Sequence, residues 1–231
     1  MTRRFDREIG PSTNTTINRF HVHSLGGLMH VDFNDRGAYS YEGYFTAIRE
    51  LGMGQEELGQ AFRRMVFNLV AVNHDDHVKN LAFMMTPDGE WHRAPAFDVM
   101  FADGSDWMRT HQMFVNGKDI DINREDLLIT GRSFDIRGGG TSTIREVANA
   151  IGTWEEEALR ADVPERERAQ ISSLILRFQP FAFLAFCVSS LNSGRGSVWP
   201  ELLIFGLGQT HFMLLYVATT YFYGMLLLAL Q

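Results

Sequence analysis

The chain has 231 residues, 45% of them apolar, with a formal net charge of -7 and a pI near 5.6. That is enough apolar material to bury a core, and the acidic balance argues against a basic surface built for nucleic-acid backbones, so no direct nucleic-acid binding is expected. A single cysteine, Cys187, excludes an internal disulfide, and the start Met-Thr-Arg-Arg-Phe-Asp-Arg opens no secretory apolar run, so the expected location is the cytoplasm.

In chain order, residues 8–18 are polar and turn-rich and read as a loop. The stretch from Arg19 to His30 has an apolar spacing that fits a strand and a helix equally well. Tyr41–Leu51 carries Tyr44, Phe45, Ile48 and Leu51 on one helical face, with Gly52 and Gly54 as the stop. Leu58, Phe62, Met65, Val66 and Leu69 predict a second helix from about Gln55 to Val72 that delivers the chain into Asn73. Arg63 and Arg64 fall off that stripe and are expected on a solvated face. After Asn80, the run Leu-Ala-Phe-Met-Met, the turn Thr86-Pro87-Asp88-Gly89 and Glu90-Trp-His-Arg-Ala predict a small β-hairpin that returns Asp98 beside the preceding loop. Asn123-Arg-Glu-Asp126, Thr143-Ile-Arg-Glu146 and Thr153-Trp-Glu-Glu156 resemble helix starts, so residues 123–176 are expected to be mostly helical around a Gly138-Gly139-Gly140 turn.

Composition breaks near residue 176. From Phe178 to Gln231 the only Asp, Glu, Lys or Arg residues are Arg195 and Glu201, and Leu202–Leu230 is longer than the roughly 20 residues that cross a bilayer as a helix. The expected division is a globular part at 1–175 and a hydrophobic extension at 176–231. A transmembrane hairpin, a segment docked on the globular part and a frameshifted tail stay open as readings of the extension. If the extension is made in cells, aggregation or membrane association through 202–230 is expected.

Chemistry concentrates in Asn73-His74-Asp75-Asp76-His77-Val78-Lys79-Asn80 and in Asp98. Asp75 and Asn80 stand at the spacing by which protein-kinase catalytic loops place a base and a metal-binding amide. Asp98 would supply a second oxygen ligand for magnesium, and His77 and Lys79 would donate to phosphate oxygens. A competing reading takes the two His and two Asp of 74–77 as a transition-metal site of a His-Asp phosphohydrolase, with His21, His23 or His30 as further ligands.

The octet resembles the Asn-x-Asp-Asp-His-x-Lys-Asn loop of HipA-like serine/threonine kinases, and Ala94-Pro95-Ala96-Phe97-Asp98-Val99 resembles their Pro-Ala-Tyr-Asp segment. Arg4-Phe5-Asp6-Arg7 looks like the family's hinge, with Arg3 where the hinge usually has Glu. Arg63–Asn68, Val115–Lys118 and Ile122–Leu128 match in order. The resemblance spans residues 1 to about 175 and implies a mainly α fold, the helical C-terminal lobe of a HipA-like kinase with a small β-hairpin near the catalytic loop. It implies Asp75 as general base, Asn80 and Asp98 as magnesium ligands, and Arg4, Phe5, His77, Lys79, Asn80, Phe97 and Asp98 around ATP. It also implies a protein substrate phosphorylated on a hydroxyl and a HipB-like DNA-binding antitoxin, as in a toxin-antitoxin pair. The family's N-terminal lobe precedes the hinge, so a separately encoded lobe is expected to complete the kinase. The rival from another class is an inactive remnant that serves as a binding module.

Overall fold

The computed structural model describes residues 4–9, 17–35, 37–104 and 108–175. The hydrophobic extension and its candidate membrane span lie outside them, and among the described residues no helix is long and apolar enough to cross a membrane.

Helix α1 (Leu25–Leu28) follows the strand β3 (His21–Ser24), so the ambiguous stretch is both elements in turn. Before it, β1 (Arg7–Ile9) and β2 (Ile17–Arg19) pair antiparallel with Glu8 opposite Asn18. The expectation of a plain loop over 8–18 thus fails at both ends. Three-residue strands carry too little periodicity to stand out among turn-forming residues, and their ladder is formed only when the partner arrives. The predicted hairpin is present as β4 (Ala82–Met85) and β5 (Trp91–Arg93), and β3 extends it to a three-stranded antiparallel sheet of order β3-β4-β5.

Helix α2 (Tyr41–Glu50) buries Tyr41, Tyr44, Phe45, Ala47 and Ile48, and the Ser40 hydroxyl caps it by accepting from the Gly43 N–H. Helix α3 (Gln55–Val70) is the axis of the core: from Met65 to Val70 every residue is buried. It packs against α2, against β5, and against α5 (Thr141–Ile151). Its polar face survives in the first half, where Glu56, Gln60 and Arg63 stay exposed or partly exposed, and is lost in the last turns. Arg63 keeps a surface ion pair with Glu146 at 2.7 Å, but Arg64 is 3% exposed, a correction to the solvated face expected for both.

The C-terminal half is helical, with α4 (Arg124–Ser133), a 3-10 turn (Arg137–Gly140), α5, α6 (Trp154–Arg160) and α7 (Glu165–Ile175). Asn123 starts α4 with a complete capping box to Asp126, as the sequence predicts. The other two expected starts differ. Thr143 lies inside α5, which begins at Thr141 after Gly140 with φ +82 and no side-chain cap. A Cβ at Gly140 would run into the Phe62 ring, so glycine serves there both the left-handed backbone and the close approach to α3. Thr153 does flank α6, but its hydroxyl donates to the Ala150 carbonyl instead of capping the helix.

Candidate active site

Helix α3 ends two residues before the octet, and Val72 then takes φ +56. This left-handed conformation is uncommon for a β-branched residue and turns the chain sharply out of the helix. Backbone pairing holds the turn: the Ala102 N–H donates to the Val72 carbonyl and the His74 N–H donates to the Ala102 carbonyl, both at 3.0 Å. Ala102, four residues after Asp98, therefore clamps the start of the octet. At the other end, the Leu25 and Gly26 N–H groups of α1 donate to the Leu81 and Val78 carbonyls. The octet is thus pinned at entry and exit by backbone groups that lie outside regular helix and sheet ladders and find their partners in each other.

Asp75 is half-buried, with the His77 Nε2 3.6 Å from its Oδ1. The Asn80 side-chain amide donates to the Asp75 carbonyl at 3.0 Å, which leaves the Asn80 Oδ1 as that side chain's acceptor. Burial pushes the Asp75 carboxyl above the ordinary carboxylate range; His77 opposes the shift, and the charges of Asp98 and Asp76 add to it. Asp98 is exposed at φ +53, a backbone region that Asp tolerates better than most residues. Asn80, Asp98, Phe97 and Arg64 line one small cleft. The return of Asp98 beside the loop, expected from the hairpin, is found.

Asp76 borders the same cleft but is 1% exposed and is engaged by buried partners. Its Oδ2 accepts from the Tyr41 hydroxyl at 2.9 Å and lies 3.1 Å from the His111 Nδ1, while its Oδ1 accepts from the Gln112 N–H at 2.8 Å. Asn68 donates to the Tyr41 hydroxyl at 2.8 Å and accepts from the Asn73 amide at 3.1 Å. Burial alone would raise the Asp76 carboxyl, but the His111 ring with the Gln112 N–H and the Tyr41 hydroxyl outweighs it and holds the group below the ordinary range. Tyr41 is driven well above its ordinary value, first by burial and then by the Asp76 charge beside it.

The four side chains of His74 to His77 do not converge. His74 Nδ1 lies 2.9 Å from the Met108 carbonyl and 3.4 Å from Asp103, Asp76 is spent in the buried network, and His77 packs edge-on against Phe33. Among the described residues no group of three His, Cys, Asp or Glu side chains is arranged to hold a metal ion. His21 packs edge-on against Trp91, away from the octet's carboxylates in its ring contacts.

Of the residues expected around ATP, Phe5 stacks on Phe97 with ring centroids 5.9 Å apart and planes 25° apart, which joins residues 4 and 5 to the Asp98 segment. Arg4 is exposed and turns its guanidinium to Asp6 in a two-pronged pair at 2.7 and 2.6 Å. Lys79 holds its Nζ 2.9 Å from the centre of the Phe33 ring, a cation-π contact that leaves the ammonium at the surface. Sequence reasoning missed Arg64, Phe33 and the Tyr41–Asn68–Asp76–His111 network. The four-residue spacing of Arg64 and Asn68 on α3 was the available signal, since it puts both on one face.

The HipA-like C-terminal domain family matches residues 1–171. The chain belongs to this family. The structure of HipA from Shewanella oneidensis MR-1, solved with HipB and its operator DNA, matches with a TM-score of 0.59 at 19% identity, covering 76% of this chain and 47% of that one. At that identity the likeness carries the HipA-like fold, and this chain spans about half the length of that solved relative. No curated protein matches the sequence. Within the HipA-like domain, the octet, the Phe97-Asp98 segment and α3 through Arg64 and Asn68 meet at the cleft.

Proposed function

We propose that residues 1–175 form the catalytic lobe of a HipA-like serine/threonine protein kinase, which transfers the ATP γ-phosphate to a protein hydroxyl. The observation that carries this reading is the meeting of Asp98 and Asn80 at one cleft, with Asp75 close enough for the Asp98 charge to raise its pKa. Asp75 is the general base: a half-buried carboxylate with a raised pKa accepts a hydroxyl proton more readily than an ordinary one. Asn80 and Asp98 would hold magnesium, and their donor set fits it: one exposed carboxylate and one amide oxygen are hard ligands. Magnesium, when bound, neutralises charge on the transferring phosphoryl group. Arg4, Phe5, His77, Lys79 and Phe97 line the approach of ATP, and for Arg4 and Lys79 this requires exchange of Asp6 and Phe33 for phosphate oxygens.

The partners follow from the same reading: an N-terminal lobe to cover the nucleotide, a protein substrate, and a HipB-like antitoxin in a toxin-antitoxin pair. The solved relative is itself held with HipB and operator DNA. The test mixes the chain with a polypeptide that carries the family's N-terminal lobe, ATP and magnesium, and follows phosphate transfer to protein. Transfer lost in both Asp75→Asn and Asp98→Asn is the expected result. Undiminished transfer in either variant overturns the roles of base and metal ligand, and no transfer by the wild-type pair favours a binding module.

A further inference from the structure

The proposed reaction gives no task to Arg64, yet its side chain lines the cleft and is almost wholly buried. Its Nη2 donates to the Ala94 carbonyl at 3.0 Å, while Nε and Nη1 are buried with no hydrogen-bond partner among the described residues. The nearby Glu57 carboxylate sits against another cation, 3.1 Å from the Arg93 Nε. A guanidinium without a carboxylate of its own is costly to bury, so a stem that merely filled space would be better served by an apolar side chain.

What the buried cation does touch is the root of the segment that carries Asp98. Ala94 is fully buried; its N–H donates to the Ala82 carbonyl of β4 at 2.8 Å, and its own carbonyl faces Arg64. Four residues later comes Asp98 at φ +53, and at Ala102 the chain is fixed again by the Val72 and His74 pairings. The segment is therefore a short span held at two ends, at Ala102 by backbone pairing and at Ala94 by backbone pairing of its N–H and by Arg64 on its carbonyl.

We propose that Arg64 is a positioning residue for Asp98: its grip on the Ala94 carbonyl from inside the cleft fixes the span 94–98 and sets where the Asp98 carboxylate is presented to a divalent cation. This rests on the reading of Asp98 as a cation ligand. Methionine at position 64 would keep much of the volume but leave the Ala94 carbonyl buried without its donor. Lysine could restore one donor without the planar fork.

Two measurements on the full chain test the proposal: amide hydrogen exchange without metal, and titration with Mn2+ followed by its paramagnetic signal. In Arg64→Met, exchange at Ala96 to Val99 should quicken by about tenfold or more while the helices α4 to α7 stay within about twofold of wild type. Mn2+ binding should weaken by about tenfold, Arg64→Lys should recover part of both effects, and Arg63→Met should show neither. If Arg64→Met does not fold, Arg64→Lys against Arg63→Met carries the same comparison. Unchanged exchange at 96–99, or quickening spread evenly over all helices, overturns the positioning role. Mn2+ binding that survives Asp98→Asn undiminished overturns the cation reading instead, and the exchange result then decides the Arg64 grip separately.

Discussion

Asp76 and His111 meet at 3.1 Å although 35 residues separate them, and both are buried. The pair joins the octet to the segment 108–118, and through Tyr41 it reaches α2. Asp76→Ala would strip the acceptor from Tyr41, His111 and the Gln112 N–H at once. The expected cost is about 3–5 kcal/mol of folding stability, measured by urea unfolding near neutral pH. Because the folded Asp76 titrates below its ordinary value, its stabilisation is present above the ordinary carboxylate pKa and is lost as pH falls through the depressed one. Asp76→Asn should therefore flatten part of the acid limb of the stability profile, and an unchanged acid limb would count against the buried anion.

The raised Asp75 carboxyl gives a prediction with two opposite signs. In a carbon-13 titration of the side-chain carboxyls, Asp75 should protonate at a higher pH than an ordinary aspartate of about 3.9. Asp98→Asn removes a neighbouring negative charge and should move the Asp75 midpoint down; His77→Asn removes an opposing influence and should move it up. For catalysis the sign runs the same way: only ionised Asp75 accepts a proton, so the rate should fall as pH drops through the raised value. Shifts of the same sign in the two variants would refute the electrostatic account of the pair.

Two helix starts that look alike in sequence should behave differently. Asn123 accepts from the Glu125 and Asp126 N–H groups, while the Asp126 carboxylate accepts from the Asn123 N–H and pairs with Lys118. Asn123→Ala is expected to cost about 1 kcal/mol, within the usual range of about 0.5–2 for a lost cap. Thr153→Ala removes only a hydroxyl bonded to the Ala150 carbonyl on an exposed turn and should cost less than about 0.5 kcal/mol. Thermal unfolding of the two variants side by side would reveal an error in either cap.

The same contrast explains what could be read in advance. The period of Leu58, Phe62 and Met65 and the box at Asn123 are local patterns, and both reappear in the structure at their expected places. Arg64 escapes local reading because its fate depends on the Ala94 carbonyl, which arrives 30 residues later by way of the β4–β5 hairpin. The role of Tyr41 is hidden for the same reason: nothing near it in sequence announces a buried carboxylate at Asp76. Thr143 shows the converse, a correct motif shape overridden by three left-handed glycines that launch α5 three residues earlier.

The stack of Phe5 on Phe97 ties the first described residues to the neighbour of Asp98, and its energy can be isolated. A single variant, Phe5→Ala or Phe97→Ala, also changes the solvation and packing of its own site, so neither alone measures the pair. A double-mutant cycle on urea unfolding should return a coupling of about 0.5–1.5 kcal/mol, as expected for an aromatic pair. The coupling should also be felt locally. Phe5→Ala would remove the ring that ties residue 5 to Phe97, and the β1–β2 ladder, which holds only three residue pairs, should exchange its amides faster. If both rings lie on the approach of ATP, a nucleotide that enters must pack against the stack or displace Phe5. A coupling that vanishes in the presence of saturating Mg-ATP would favour displacement, whereas an enlarged coupling would mean that the nucleotide completes a stack already formed by the protein.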